Sequence, residues 1–423
     1  MKIRHLFGLF ILWILSCTPS FGQLLSKEQQ VADFDTLCRR LETVHPDLYM
    51  YQTKEEYNRL KSHLRMSFTD SLSISDFYLK IAPFMASIKD GHSMVLPPFT
   101  KDFADHAKNN GKTMPLRIKA AGEVFVVDFP IIVDTQICSG DTILTINGVS
   151  SKEILYRLYR LFASEKGNAI KEISINAYLP LLLWYTYRWH ESYLFALKRG
   201  NKVWEERISG IPRSQALDVI KARQAKDKPM SFTYQPLPDC TQATITLTNF
   251  YKEEELKQFC DLVFEDMAEK KIPQLILDVR NNSGGSSKAV ERLISYFSHS
   301  DYALYSKSQI KVSAYSKAYN RDRHKDIYGQ ICNLPDGSLF DMGENTIKSN
   351  RARTNLYHGE VIILVNGKTY SGASTFAHTM QKLGIANVEG ETGCSSVYFG
   401  NSLPFTLPNS KIEYFISFSK FYE

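Results

Sequence analysis

Apolar residues recur every three to four positions between residues 26 and 90, which predicts helices. Val31, Phe34, Leu37, Leu41 and Val44 form one such stripe, and Pro46 closes it. Tyr57, Leu60 and Leu64 mark a second helix, and Phe77, Ile81, Phe84, Met85 and Ile88 a third. Ser26 with Gln29 and Thr53 with Glu56 have capping-box spacing, which places two helix starts. The stretch ends in Lys89-Asp90-Gly91-His92-Ser93. Asp90-Gly91 is a tight-turn signal, so His92 opens the following extended segment. From about 110 to 235 the pattern changes. Val124 to Val127 reads as a strand, and Gly140 to Gly148 is a strand that closes on an Asn-Gly turn. Residues 151 to 195 read as largely helical and aromatic, and Lys198 to Lys202 as a hairpin tip. From about 240, strand and helix alternate. Ala243, Ile245 and Leu247 alternate as a strand, and Leu256, Phe259, Val263 and Met267 follow at helical spacing. Leu275 to Val279 reads as a buried strand, followed by the loop Arg280 to Ser287 and a helix carrying Val290, Leu293, Ile294 and Phe297. A long, polar, Tyr-rich connection then leads to one more strand and helix. This order predicts a mainly parallel sheet.

That last strand and helix carry the candidate chemistry. Val361 to Val365 is an apolar run, Asn366-Gly367 is a turn signal, and Phe376, Ala377, Met380 and Leu383 share one helical face. Ser371 therefore falls where a strand's carboxyl end meets a helix amino end. Free N–H groups and the positive end of the helix dipole lie there, a workable address for a nucleophile whose product passes through an oxyanion. The plainer reading is that Ser371 or Ser374 caps the helix. Sites of α/β sheets form at the carboxyl ends of strands, an edge shared by Ser371 and the Gly284-Gly285 loop.

Composition narrows the class. The chain has 423 residues, 43% hydrophobic, with a formal charge of +6. No cluster of Lys and Arg interleaves with aromatics, so nucleic acid is not an expected partner. Lys2, Arg4 and His5, then the apolar run Leu6 to Leu15, then Ser20-Phe21-Gly22 read as a signal peptide over residues 1–22, cleaved before Gln23. Leu15-Ser16-Cys17 offers a second reading, a lipoprotein box that would tie the chain to a membrane through Cys17. Either route implies export to the periplasm, cell envelope or exterior. Cys38, Cys138, Cys240, Cys260, Cys332 and Cys394 are scattered without metal-ligand spacing, so neither a zinc site nor any cofactor is expected. Cys38 and Cys260 fall on apolar helix faces. Leu179 to Trp184 is a short apolar run containing a proline, read as core or an interaction surface.

Four segments together resemble the tail-specific, or C-terminal processing, serine protease family, in its tricorn-like, histidine-using branch. They are Asp278 to Gly285, Gly140 to Gly148, the Ser371 segment, and Gly390-Glu391-Thr392-Gly393. The resemblance implies an α/β protease core with a ClpP/crotonase-like, mainly parallel sheet, an N-terminal helical region and a PDZ-like β-unit. The implied organisation is a helical region over 23–100, a PDZ-like domain with a helical insertion over 101–238 and a catalytic core over 239–423. By the same resemblance Ser371 is the nucleophile and His92 the general base. Backbone N–H groups of Gly284, Gly285 and Gly372 would form the oxyanion hole, and the substrate would be a peptide or an unfolded protein tail. The other nine histidines, His45, His63 and His378 among them, are assigned no role.

Two departures from the family pattern bear on this expectation. Cys394, Ser395 and Ser396 stand where the lysine-dyad branch has its lysine. The acidic residue that orients the histidine in the tricorn-like branch has no clear counterpart before Glu423, so a truncated C-terminus is one expectation. Asp90, Glu391 and Glu423 are the acidic residues nearest in sequence terms. The competing function is a catalytically weak or inactive relative that binds peptides or apolar ligands.

Overall fold

Both capping boxes form. Ser26 Oγ accepts the Gln29 N–H while Gln29 Oε1 accepts the Ser26 N–H, and Thr53 and Glu56 do the same. The three expected helices follow as Lys27–Val44, Lys54–Met66 and Ile74–Ala86. The second buries only Tyr57; Leu60 faces solvent. The computed structural model describes residues 24–226, 230–298, 300–344, 346–349, 355–391 and 398–422. The leader expected at 1–22, Cys17, Thr392 to Ser396 and Glu423 lie outside the described residues.

The chain forms two compact units that interleave in sequence. One combines Met230–Leu304 with Thr346–Cys394; the other combines Leu24–Pro229, Tyr305–Asn345 and Ser395–Glu423.

In the unit that begins at Leu24, Phe34 packs edge-on against Phe68 and Phe84 in the helical core. A meandering antiparallel sheet follows, in the spatial order Lys202–Ser209, Ser192–Arg199, Thr142–Ile146, Val124–Pro130, Leu116–Ala121. Asn147 and Gly148 both take positive φ, which lets Thr142–Ile146 turn tightly into Val149–Ser150. Helix Ala169–Tyr187 runs through Pro180 without ending there, and Leu179, Leu181, Leu182 and Leu183 are buried in it. No helix among the described residues is long and apolar enough to cross a membrane.

The Tyr-rich stretch expected to be a connection is structured. It holds strand Lys307–Lys311, helices Ala314–Arg323 and Lys325–Ile331, and strand Leu339–Gly343. Its polarity hid this because polar side chains fill part of its interior. Buried Ser313 and Ser316 cap one helix reciprocally, and the Asn320 side-chain amide donates to Ser316 O at 2.8 Å. A second sheet has the order Leu339–Gly343, Lys307–Lys311, Glu413–Tyr422, Phe399–Thr406. Short strand Met94–Val95 joins it by pairing with Tyr414 and Phe415.

The unit that begins at Met230 is built on a five-stranded sheet in the order Phe232–Pro236, Gln242–Leu247, Gln274–Asp278, Glu360–Val365, Asn387–Gly390. The first strand is antiparallel to its neighbour, and the other neighbours pair in parallel. Helix Gly372–Lys382 buries Ala373, Phe376, Ala377 and Met380; Leu383, expected on the same face, is the exposed C-cap. Cys38 and Cys260 are fully buried, and none of the five described cysteines forms a disulfide.

Asp33 ties the first helix to the loop before strand Glu413–Tyr422. Its buried carboxylate accepts the Asn409 N–H at 2.8 Å, the Asn409 side-chain amide at 2.9 Å and the Ser410 N–H at 2.7 Å. Asp33→Ala would strand these donors. We expect it to lower unfolding free energy by about 3 kcal/mol, read from the shift of the urea midpoint at unchanged slope.

Candidate active site

Parallel pairing of Gln274–Asp278 with Glu360–Val365 brings the loops after both strands to one edge of the sheet. Side chains then clasp the two loops. The Asn281 N–H donates to Asn366 Oδ1 at 3.0 Å, and the Asn366 amide donates to Asn281 Oδ1 at 3.1 Å. The Thr369 hydroxyl donates to Val279 O at 2.9 Å, and the Tyr370 N–H donates to Asn282 O at 2.9 Å. Asn282, fully buried, anchors its own loop by donating to Leu247 O at 3.0 Å.

This clasp delivers Ser371 in an unusual conformation. Its φ is 51° and its ψ is −128°. Positive φ costs a non-glycine residue about 1–3 kcal/mol and persists only where the surroundings over-determine it. Ser371 occupies the N-cap position of helix Gly372–Lys382, yet its side chain makes no capping hydrogen bond. The plain reading of Ser371 as a helix cap therefore fails on geometry.

The glycine loop lies against this turn. A Cβ on Gly284 would fall 2.7 Å from Ser371 Cβ, Gly372 N and Tyr370 O; a Cβ on Gly285 would fall 2.4 Å from the Phe250 carbonyl carbon. Both glycines have positive φ, at 96° and 147°. Only glycine tolerates that approach and that conformation together. The three N–H groups expected to act as donors are not equivalent. That of Gly284 donates to Asn282 Oδ1 at 2.9 Å, so it is already committed. Those of Gly285 and Gly372 find no acceptor among the described residues. They lie close together, since a Cβ on Gly372 would sit 3.4 Å from Gly285 N.

His92 belongs to the other unit, where Ser93 separates it from strand Met94–Val95. Its surroundings contain more ionisable groups than the sequence suggested. Asp90 is fully buried. Its Oδ1 accepts the His92 N–H at 2.9 Å and lies 3.9 Å from His92 Nδ1; its Oδ2 lies 3.2 Å from His45 Nε2 and accepts the Ser93 hydroxyl. Glu165, from the segment between helices Ser151–Tyr159 and Ala169–Tyr187, accepts the Gly91 N–H at 3.1 Å. Ser402 Oγ donates to His92 O at 2.8 Å, and Ser93 Oγ accepts the Ser417 N–H at 2.9 Å. His45 and Glu165 were missed in the sequence reading because 47 and 73 positions separate them from His92. Only the fold brings them to the turn.

Asp90, His92 and Glu165 each offer one ligand atom, all within 4.8 Å of one another, and are the group among the described residues that could hold a metal ion. The Asp90 oxygens already accept His45, Ser93 and the His92 backbone N–H. Burial pushes the Asp90 carboxyl up, but His45, His92 and Ser93 together outweigh it and hold the group at about 2. Burial lowers the His92 imidazole below its usual value, against the opposing pull of Asp90.

Residues 241–417 match the family model described as Peptidase family S41. Among solved structures, mature CPAF is 14% identical, with 93% of this chain and 89% of that chain covered at a TM-score of 0.63. Mature CPAF complexed with lactacystin is also 14% identical, with 93% and 90% covered and a TM-score of 0.63. The photosystem II D1 C-terminal processing protease is 13% identical, with 93% and 88% covered and a TM-score of 0.43. At these identities the likeness to CPAF is a likeness of fold. No curated protein sequence matches the chain.

The low Asp90 value carries a stability consequence. A carboxyl held below its ordinary 3.8 when folded contributes stability above 3.8, and this is lost as pH falls toward about 2. In acid titrations followed by circular dichroism, the stability difference between wild type and Asp90→Asn is expected to shrink across that window. A constant difference would show that Asp90 is not held ionised.

Proposed function

Because residues 241–417 match the model of peptidase family S41, whose members are serine-type peptidases, we propose that the chain is such a peptidase, with Ser371 as its nucleophile and His92 as its general base. One observation carries this reading: Ser371 is held at positive φ, at a strand-to-helix turn, without capping the helix it precedes. A strained turn of this kind exposes a nucleophilic hydroxyl. A serine hydroxyl is hardly ionised near neutral pH and needs an adjacent base.

In this reading Ser371 Oγ attacks the scissile carbonyl as His92 Nε2 takes its proton. The Asp90 carboxylate, 3.9 Å from Nδ1, favours the tautomer that leaves Nε2 bare. The tetrahedral oxyanion accepts the N–H groups of Gly285 and Gly372, with Gly284 clearing the space for the carbonyl. His92 returns its proton to the leaving amine, and a water molecule then hydrolyses the acyl-enzyme by the same route. Losing one oxyanion donor typically costs about 3 kcal/mol of transition-state stabilisation. The lowered His92 value keeps more of the imidazole neutral, and so able to act as base, in mildly acidic solution.

The substrate in this reading is a peptide or an unfolded protein tail. Residues 101–238 act as the PDZ-like unit, and Leu116–Ala121, the last strand of its sheet, supplies an edge for an added strand. We also infer export, from the charged, apolar and small-residue order of residues 1–22. Sequencing of the exported protein is expected to begin at Gln23; an acylated Cys17 at the start would identify the lipoprotein route instead.

The central test is labelling with a fluorophosphonate probe alongside hydrolysis of an unfolded protein. Wild type is expected to be labelled and active. Ser371→Ala and His92→Ala are each expected to lose about 10³-fold or more in kcat. Labelling that persists in Ser371→Ala would sink the assignment of the nucleophile, and full activity in His92→Ala the assignment of the base.

A further inference from the structure

We infer that His45 is a positioning residue for His92, acting through Asp90; the inference rests on the reading of His92 as the base. His45 is the C-cap of helix Lys27–Val44, and its side chain is completely buried. Its Nδ1 accepts the Asp47 N–H at 3.3 Å, which leaves the ring proton on Nε2, facing Asp90 Oδ2 at 3.2 Å. The Phe399 ring, 4.6 Å away between centroids, packs against the imidazole and resists its rotation.

The two Asp90 oxygens therefore have separate duties. Oδ2 is held by two side-chain donors, His45 and Ser93. The Ser93 hydroxyl is itself aimed, because its oxygen accepts the Ser417 N–H and its proton is left for Asp90. Among the described residues, Oδ1 meets His92, through the backbone N–H and, at 3.9 Å, Nδ1. An imidazole suits this duty: its Nε2–H fixes one oxygen of the buried carboxylate by hydrogen bonding while the other oxygen is left facing His92. Further ionisable groups around the turn are Glu165 at Gly91, Tyr51 with Lys89 over its ring, and Asp47 beside His45, paired with Lys420.

A purely structural role for His45 makes different predictions from a positioning role. His45→Gln places an amide N–H near the Nε2 position and should keep the contact with Asp90. His45→Asn is polar but too short to reach it, and His45→Leu has no donor. Phe399→Leu loosens the packing around the ring and leaves the hydrogen bond in place. In the full-length protein, the expected result is that His45→Asn and His45→Leu lose about 10- to 100-fold in kcat with KM within twofold of wild type. His45→Gln is expected to stay within about threefold, and Phe399→Leu to lower Tm without a matching loss of kcat. Wild-type kcat in His45→Asn and His45→Leu overturns the inference, as does equal impairment of Gln and Leu. The two readings fail separately: an active His92→Ala removes the base, whereas an inactive His92→Ala with a fully active His45→Leu removes only the role of His45.

Discussion

Parallel pairing of two strands is the constraint on which the Ser371 turn depends. Gln274–Asp278 and Glu360–Val365 hydrogen-bond in the same direction, so both release their chains at the same edge of the sheet. Loops leaving side by side can be bonded to each other, and here Asn281, Asn282, Asn366 and Thr369 do it. The bonds are numerous enough to hold Ser371 at a φ that serine avoids. They also explain why the neighbouring loop has glycine at 284 and 285, where a Cβ would strike backbone.

The His92 turn rests on a different kind of constraint, a charge without water. Asp90 sits in the interior and stays ionised because donors meet both of its oxygens. A buried carboxylate missing any of these donors would tend to take up a proton or draw in solvent. The surrounding structure is correspondingly specific. Helix Lys27–Val44 ends where His45 can reach Asp90, and strand Glu413–Tyr422 presents Ser417 to orient Ser93.

Much of this was legible in the sequence where the physics is local. Capping boxes, the Asn147-Gly148 turn and the apolar strand before Ser371 depend on residues a few positions apart, and each forms. Interactions between distant segments were not legible. Nothing near His45 in sequence distinguishes it from an ordinary helix-end histidine, and Glu165 lies in a polar stretch. The region from Lys307 to Gly343 was unreadable because apolar periodicity is faint there, with Ser316 and Asn320 buried in place of apolar side chains. The conformation of Ser371 was hidden too, since backbone strain is imposed by neighbours and leaves no mark in composition.

The interleaving of the two units has a consequence in time. Synthesis proceeds from the amino end, and domains tend to fold as their residues emerge. The unit that begins at Leu24 cannot do so. Its first helix waits for Asn409 and Ser410, Met94–Val95 waits for Tyr414 and Phe415, and the hydroxyl beneath His92 waits for Ser417. More than three hundred residues must be made before His92 gains its final surroundings. The turn around Asp90 and His92 is therefore completed late in synthesis, by strands made long after the turn itself.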